Sequence, residues 1–275
     1  MNLVIGSTSQ QSYYYPEDYI RISSRNIDFN FLKEHNWESV YITFAEQRVY
    51  DNEFNSFMNI NYFYTLKVIE NLISNSNKIV IFTSCELWNN YVGEVKIESP
   101  FCYDHKDNRY VDYLLSKSRL YEEILKRRKL DFLYNKIIII HPFSFNSSYR
   151  NKNFLFGKIF DSIINNKKIE IGNTYFYRDI IHTKYLVERV IKSETDEMIG
   201  SGRLFHVNDF IRDLYSYFDM DYNYFVTETI SQKNSHSEKI YYSCQDKIYT
   251  YNMLFDDTVG DLKNKIKNER VILVR

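Results

Sequence analysis

Tyr113 and Lys117, a tyrosine and a lysine four residues apart, are the pair in this sequence best suited to acid/base chemistry. Both lie in a segment with helical periodicity, so this spacing places them on one face of a helix. A lysine ammonium group beside a phenol lowers the pKa of the phenol toward neutral pH. Such a phenol donates a proton to a substrate oxygen or accepts one from it, so we predict a tyrosine acid/base with a lysine partner.

Three further candidates follow the apolar segment at residues 79–82, namely Ser84, Cys85 and Glu86. A serine hydroxyl beside the phenol orients the oxygen that the phenol protonates or deprotonates. On the residues alone, we expect Glu86 to be a solvated carboxylate and Cys85 to be a small packed side chain. We predict that Ser84 completes one catalytic site with Tyr113 and Lys117.

A candidate phosphate-binding turn follows the first apolar segment and reads Gly6-Ser7-Thr8-Ser9-Gln10-Gln11-Ser12. The spacing of Gly6, Ser9 and Ser12 matches a G-x-x-G-x-x-G dinucleotide turn in which serine replaces two glycines. We predict that Gly6, Thr8 and Ser9 contact a pyrophosphate. Serine cannot take a positive φ cheaply, so we expect a tighter approach than glycine gives. The alternative is an ordinary exit from a strand into a loop.

Ser24 and Arg25 follow the second apolar segment, where a dinucleotide fold binds the ribose next to adenine. Hydroxyl and guanidinium donors suit a 2′-phosphate, whereas a solvated turn arginine is the alternative. Only about a dozen residues separate the first two strands, which is too few for a standard crossover helix. We therefore predict a first crossover helix that is shortened or missing.

The elements that must position these residues follow from hydrophobic periodicity, since short β-branched segments alternate with longer helical ones. This pattern predicts an α/β fold, a Rossmann-like parallel sheet flanked by helices with a shortened first βαβ unit and a small α+β C-terminal part. We predict a cofactor-binding domain over 1–145 and a smaller substrate-binding part over 146–275, interleaved with it. The predicted strands are 3–5, 19–22, 40–44, 79–82 and 137–141, and the predicted helices are 29–35, 59–71, 110–129, 154–165, 183–192 and 207–218.

Composition limits the functional classes. Thirty-five basic and 36 acidic residues give a net charge of -1, which does not favour nucleic acid or an anionic membrane. No apolar stretch approaches the roughly 20 residues of a membrane span. The cysteines, Cys85, Cys102 and Cys244, are odd in number and lack metal-binding spacing, so we expect no metal site and a reducing cytoplasm.

Further motifs follow one another along the chain. They are Phe44-Ala45-Glu46, Asn61-Tyr-Phe-Tyr-Thr65, Thr83-Ser84-Cys85-Glu86-Leu87-Trp88, SSYRNKNFLFGKI at 147–159, Gly172-Asn173, Arg178-Asp179, His182-Thr-Lys184, Gly200-Ser-Gly202 and Val207-Asn-Asp-Phe210. In this order they resemble the motifs of the extended short-chain dehydrogenase/reductases, the NAD-dependent epimerase/dehydratase family, with Tyr64 where glycine is usual. Within it, the motifs after residue 82 are most similar to those of GDP-mannose 4,6-dehydratases. Features of NADP-dependent GDP-ketosugar epimerase/reductases are also present, in the short first connection and in Cys85.

The resemblance assigns roles to individual residues. It makes Tyr113 the acid/base, Lys117 its partner and ribose contact, and Ser84 the hydroxyl that binds the sugar C4 oxygen. It makes Glu86 the base at C5 and Cys85 an alternative proton donor. The residues implied at the cofactor are Phe44, Ala45 and Pro142, and those implied at the substrate are Ser144, Asn146, Arg150 and Arg178.

The function implied is NAD(P)-dependent modification of a nucleotide-linked sugar at C4, of the epimerase, dehydratase or reductase type, in surface-polysaccharide sugar biosynthesis. The cofactor is NADP or NAD, the nucleotide is GDP rather than UDP or CDP, and the assembly is a homodimer. One alternative is an NADPH-dependent 4-ketosugar reductase/epimerase. Another is a non-catalytic relative that binds a sugar nucleotide without the cofactor.

Overall fold

The fold is described from a computed structural model, which covers residues 1–48, 54–103, 108–229, 241–243 and 247–273. Cys244 lies outside these residues. No helix within these ranges is both long and apolar enough to cross a membrane.

The strands are β1 Asn2–Ile5, β2 Ile20–Ile22, β3 Trp37–Ile42, β4 Ser76–Phe82, β5 Gly93–Val95, β6 Ile137–Pro142, β7 Ser144–Asn146, β8 Ile169–Ile171, β9 Tyr177–Arg178, β10 Ile180–His182, β11 Glu197–Ile199, β12 Phe205–His206, β13 Val226–Glu228 and β14 Tyr241–Ser243.

The helices confirm the predicted helical segments, with small differences at their ends. Asp28 caps the first of them, because its side chain accepts hydrogen bonds from the Asn30 and Phe31 amides. Residues 54–72 form one continuous helical segment that includes a π-helical stretch, Met58–Tyr64. The α-helices are α1 Phe29–Glu34, α2 Phe54–Phe57, α3 Thr65–Leu72, α4 Asn108–Leu130, α5 Leu155–Asn165, α6 Thr183–Lys192, α7 Val207–Tyr217, α8 Tyr222–Phe225 and α9 Tyr251–Leu273.

A six-stranded parallel sheet in the order β11-β6-β4-β3-β1-β2 confirms the Rossmann-like prediction. All six residues of β6 are buried. A strand buried on both faces reads as a continuous apolar run, as Ile137–Ile140 does. Side chains of α3 and α4, among them Ile69 and Ile124, pack in the same apolar core as β1, β3 and β4.

The first crossover is short, as predicted, and an arginine on β2 holds it. A five-residue 3₁₀ helix, Gln10–Tyr14, stands where a crossover helix would be. The Arg21 guanidinium donates hydrogen bonds to the main-chain carbonyls of Ser12, Tyr15, Pro16 and Tyr19 at 2.6–3.0 Å. One side chain therefore satisfies carbonyls that a helix would have satisfied internally.

The order of the strands places a topological switch point between β1 and β3. The chain leaves β1 for β2 on one side and then continues as β3 on the other side of β1. In open α/β sheets, ligands bind at such a point, outside the carboxyl ends of the strands. Gly6 follows β1, Thr43 follows β3 and Thr83 follows β4, so all three lie at this edge of the sheet.

The described chain divides into two compact units. The first comprises Met1–Asn90, Ile97–Pro142 and Val187–Ile199, and the second comprises Tyr91–Lys96, Phe143–Leu186 and Gly200–Arg275. The second unit contains two-stranded pairings of β7 with β10, β8 with β13, β9 with β12 and β5 with β14. Its helix α9 was not predicted, and its residue Phe255 packs against Phe210 of α7 with ring centroids 6.4 Å apart.

Candidate active site

Lys117 is buried on α4, and its ammonium group donates a hydrogen bond to the Phe82 carbonyl oxygen at 2.9 Å. Phe82 ends β4, two residues before Ser84. Only 3% of Lys117 is exposed. Removal from water disfavours the charged form and lowers the pKa of Lys117 to about 8. The cation therefore lies at the carboxyl end of β4 and still carries its charge at neutral pH.

Tyr113 lies one turn before Lys117 on the same face of α4 and is buried. Its ring packs edge-on against Phe57 at a centroid distance of 6.0 Å and lies nearly parallel to the Tyr110 ring at 6.3 Å. Two aromatic neighbours restrict the ring and so fix the position of its hydroxyl. The predicted spacing is therefore realised on a helix, with both side chains turned inward.

Asn61, in the π-helical stretch, connects this helix to the segment that follows β3. Its amide accepts a hydrogen bond from the Glu46 amide at 2.8 Å and donates to the Glu46 carbonyl and to Ser116 Oγ, both at 3.0 Å. Ser116 Oγ in turn donates to the Tyr113 carbonyl at 2.6 Å. Asn61 is almost fully buried, so these bonds are shielded from water. They hold the backbone that carries Tyr113.

Ser84 and Glu86 lie at the start of a 3₁₀ helix, Cys85–Trp88, directly after β4. Ser84 caps this helix, since its hydroxyl accepts a hydrogen bond from the Glu86 amide at 3.2 Å. The Glu86 carboxylate accepts a short hydrogen bond from the hydroxyl of Tyr110. Cys85 is buried. Its role as a proton donor stays a prediction. Ser84, Glu86, Tyr113 and Lys117 thus lie at one strand end of the first unit.

Tyr110 is a residue that the sequence analysis missed. Burial, together with the negative charge of Glu86, raises the pKa of Tyr110 well above its usual value, so the phenol stays protonated and acts as a donor. The signal was its position three residues before Tyr113, which places it on the same helical face. Among 26 tyrosines that spacing did not distinguish it.

His141 is a second buried residue without a predicted role. Its Nδ1 lies 2.5 Å from Thr83 Oγ1, and its ring packs edge-on against Trp88 and Tyr121. Nε2 has no hydrogen-bond partner within the described residues. Burial lowers the pKa of His141 to about 4, so the ring is neutral at pH 7. His141 connects the end of β6 to the residue that precedes Ser84.

The turn after β1 requires a positive φ at one position. Gly6 has a φ of 116° and is the only residue of the turn with a positive φ, whereas Ser9 has a φ of -70°. Replacing glycine by serine at positions 9 and 12 therefore causes no backbone strain. A Cβ on Gly6 would lie 2.7 Å from Thr43 Oγ1, so glycine is required only there.

The same turn is formed by hydrogen bonds within the first unit. The Gly6 and Ser7 amides donate to the Ile22 carbonyl at 2.9 and 3.0 Å. Ser9 caps the 3₁₀ helix, and its Oγ lies 2.8 Å from Thr43 Oγ1. The turn therefore brings the start of a short helix to the switch point.

Ser24 and Arg25 form a turn directly after β2. The Ser24 carbonyl accepts a hydrogen bond from the Tyr64 hydroxyl at 2.9 Å, and Arg25 is exposed. The Tyr64 ring packs against Phe44 at a centroid distance of 5.6 Å. Tyr64 thus bridges the segments that follow β2 and β3 and lies between residues predicted to line a cofactor.

The residues present fit a dinucleotide. Gly6 gives the close approach to the end of β3 that such a turn needs, because a side chain at this position would collide with Thr43. Thr8 is exposed, and Phe44 and Ala45 are half-buried after β3. Pro142, the last residue of β6, is buried at the same edge of the sheet.

The predicted substrate residues all lie in the second unit. Ser144 and Asn146 are the two ends of β7 and are half-buried. The Arg150 guanidinium lies 3.9 Å from the centroid of the Phe154 ring, and that of Arg178 lies 5.3 Å from the Phe176 ring. Stacking on a ring restrains each guanidinium.

Comparison with known proteins establishes the fold. No protein-family model matches the chain, and no curated protein matches it. Among solved structures, RMD from Pseudomonas aeruginosa complexed with NADPH is similar with a TM-score of 0.74 and 11% identity, covering 96% of this chain and 99% of that one. The dTDP-glucose 4,6-dehydratase DesIV from Streptomyces venezuelae with NAD and TYD bound has a TM-score of 0.73 at 14% identity, covering 98% of both chains. UDP-glucuronic acid 4-epimerase from Bacillus cereus in complex with NAD has a TM-score of 0.73 at 12% identity, covering 97% of both.

Proposed function

We propose that the protein is an NAD(P)-dependent enzyme that modifies a nucleotide-linked sugar at C4, of the epimerase, dehydratase or reductase type. The observation that carries this proposal is the arrangement of Tyr113 and Lys117. Both are buried on one face of α4, and the Lys117 ammonium is bonded to the carbonyl of the strand end that precedes Ser84. Burying a lysine ammonium costs free energy, and buried groups with a shifted pKa are concentrated at functional sites.

The roles of the side chains follow from their chemistry. Ser84 holds the oxygen on C4 of the sugar, and Tyr113 accepts the proton of that oxygen or returns it. Lys117 stabilises the phenolate form of Tyr113 by its positive charge. The chemistry that a bound nicotinamide supplies is acceptance or return of a hydride at C4. The residues proposed to hold this group are Gly6, Thr8, Ser9, Ser24, Arg25, Phe44, Ala45, Tyr113, Lys117 and Pro142.

The bond between Tyr110 and Glu86 favours reduction of a 4-ketosugar over dehydration. A base at C5 needs an oxygen that is available to take a proton, and one carboxylate oxygen of Glu86 already accepts a strong hydrogen bond from a phenol. In the reductase/epimerase version, Cys85 is the proposed proton donor to the sugar.

We further propose Arg150 and Arg178 as the diphosphate-binding residues, with Ser144 and Asn146 at the sugar. The substrate would be GDP-linked rather than UDP- or CDP-linked, and the enzyme would be a cytoplasmic homodimer that serves surface-polysaccharide synthesis. Support for the diphosphate role is the planar guanidinium, which bonds phosphate oxygens in pairs.

The experiment has two stages. First, the purified protein is titrated with NADPH and NADH, following nicotinamide fluorescence. Second, GDP-, dTDP- and UDP-linked hexoses and 4-ketohexoses are incubated with the protein and cofactor, and products are identified by mass spectrometry. Binding of a dinucleotide and conversion of at least one sugar nucleotide are expected. Binding of a sugar nucleotide without any dinucleotide would support the non-catalytic alternative.

A further inference from the structure

Tyr64 makes a hydrogen bond that joins two distant parts of the chain. Its hydroxyl donates to the Ser24 carbonyl across 40 residues of sequence, at 2.9 Å. Its ring is held between Phe44 at 5.6 Å and Phe29 at 6.4 Å. Burial raises the pKa of Tyr64, so the hydroxyl remains a donor through the neutral range. The tyrosine ring is thus packed between two rings, and its hydroxyl bonds to the backbone of the turn after β2.

That turn presents hydroxyl and guanidinium groups beside the turn after β1. Ser23 Oγ accepts a hydrogen bond from the Arg25 amide at 3.2 Å, and the Arg25 side chain is exposed. The preceding residue, Ile22, accepts the Gly6 and Ser7 amide hydrogen bonds. The two strand ends are therefore one connected surface. In dinucleotide folds, the end of the first strand binds the pyrophosphate and the end of the second strand binds the adenosine ribose.

The charge at the end of β2 decides whether this turn suits a ribose with a free 2′-hydroxyl or one with a 2′-phosphate. Between β2 and α1 the one acidic residue is Asp28. Its Oδ1 is used to cap α1, accepting hydrogen bonds from the Asn30 and Phe31 amides at 2.9 and 3.3 Å. A ribose 2′-hydroxyl is bound by a carboxylate in such folds, whereas a 2′-phosphate is bound by an arginine. With Asp28 in the cap and Arg25 exposed, the turn suits the phosphate.

We propose that Tyr64 is a positioning residue for the 2′-phosphate of an NADP-type cofactor. Through its bond to the Ser24 carbonyl, it holds the turn of Ser23, Ser24 and Arg25 in the conformation that binds the phosphate. This inference rests on the proposed function, because it requires a dinucleotide at the switch point. It assigns the preference for NADPH to a hydroxyl that does not touch the phosphate.

The test measures binding and requires no sugar substrate. NADPH and NADH are titrated by fluorescence, and adenosine 2′,5′-bisphosphate and adenosine 5′-monophosphate are titrated by calorimetry, against four proteins. These are the wild type, Tyr64→Phe, Arg25→Ala and the matched control Tyr62→Phe, which removes a hydroxyl from the same π-helical stretch. Circular dichroism and thermal unfolding verify that each variant is folded.

We expect the wild type to prefer NADPH to NADH by about tenfold or more, since charge-assisted hydrogen bonds to a phosphate are strong. Tyr64→Phe should reduce this preference by about threefold or more, with NADH affinity changed less than about twofold. Arg25→Ala should remove the preference, and Tyr62→Phe should keep it.

Three outcomes overturn the inference. An NADPH preference that is equal in Tyr64→Phe and wild type overturns the role of Tyr64 while leaving the proposed function intact. Should Tyr64→Phe fail to fold, an unchanged preference in Arg25→Ala overturns the assignment of the turn. Binding of neither dinucleotide by the wild type overturns the proposed function and this inference together.

Discussion

The Lys117 ammonium donates its hydrogen bond to the Phe82 carbonyl, 2.9 Å away, at the end of the strand that leads into Ser84. This relationship fixes the cation relative to the sheet and not only relative to its own helix. A helix alone gives the spacing between Tyr113 and Lys117. The hydrogen bond to β4 holds Lys117 next to the strand end that precedes Ser84 and Glu86.

Replacing Lys117 by methionine should change how stability depends on pH. The pKa of Lys117 is about 8 in the folded protein and about 10.4 when unfolded. Between these values the unfolded chain binds the proton and the folded chain does not, so the stability of the wild type rises with pH. Relative to Lys117→Met, the wild type should gain about 2–3 kcal/mol between pH 7 and 10.

Urea unfolding of both proteins at pH 7, 8, 9 and 10 measures this difference. Lys126→Met, which removes an exposed lysine of the same helix, is the matched control and should follow the wild type. A difference between wild type and Lys117→Met that does not vary with pH would show that the ammonium is not buried.

Removing the Tyr110 hydroxyl should increase proton abstraction by Glu86. The Tyr110 phenol donates to the Glu86 carboxylate, and a carboxylate that loses a hydrogen-bond donor is the stronger base. With a sugar nucleotide that the enzyme converts, Tyr110→Phe should incorporate deuterium from D₂O at C5 about two- to tenfold faster than the wild type. Mass spectrometry of the product measures the exchange.

Two further variants control this measurement. Glu86→Gln should slow the exchange in either background, while Tyr121→Phe, on the same helix, should leave it unchanged. If Tyr110→Phe exchanged no faster than the wild type, the phenol would have no influence on the basicity of Glu86.

Much of the fold was predictable because hydrophobic periodicity is a local property. The β-branched run at Ile137–Ile140 and the apolar face of α4 each indicate their element within a few residues. Helix α9 was missed because its apolar positions are sparse, and its place depends on contacts with α7 that only the fold creates.

The candidate site was predictable as residue types in order but not as contacts. The sequence predicts Tyr113, Lys117 and Ser84 by residue type and spacing, and their catalytic roles stay a prediction. The bonds from Tyr64 to Ser24 and from Tyr110 to Glu86 join residues 40 and 24 positions apart. Neither pair has a sequence signature, because each depends on which strand ends become neighbours.

Replacing Arg21 should destabilise the first unit without touching the catalytic residues. Its guanidinium bonds four main-chain carbonyls of the first crossover at 2.6–3.0 Å. Arg21→Ala should lower the free energy of unfolding by about 2–4 kcal/mol, and Arg21→Lys by less, because lysine keeps the charge but not the planar fork. Urea unfolding measures both, with the exposed Arg25→Ala as control. Equal stability of Arg21→Ala and Arg25→Ala would contradict the role of the fork.

His141 should make the protein sensitive to mild acid. Its pKa is about 4 when folded and about 6.5 when unfolded, so below pH 6.5 the unfolded state binds more protons. Stability present at pH 7 is therefore lost as the pH falls toward 4, by about 3 kcal/mol. His141→Asn should lose less stability over this range than the wild type. Urea unfolding from pH 7 to 4 distinguishes them, and parallel curves for wild type and His141→Asn would disprove the prediction.

The catalytic role of Tyr113 is tested most directly by the turnover of Tyr113→Phe. With NADPH or NAD and the converted sugar nucleotide, kcat of this variant should fall by about 10²–10⁴-fold, since a positioned acid/base contributes that much. Thermal unfolding of Tyr113→Phe should stay near that of the wild type, and Tyr62→Phe should retain full activity. Turnover of Tyr113→Phe equal to that of the wild type would contradict the assignment of Tyr113 as the acid/base.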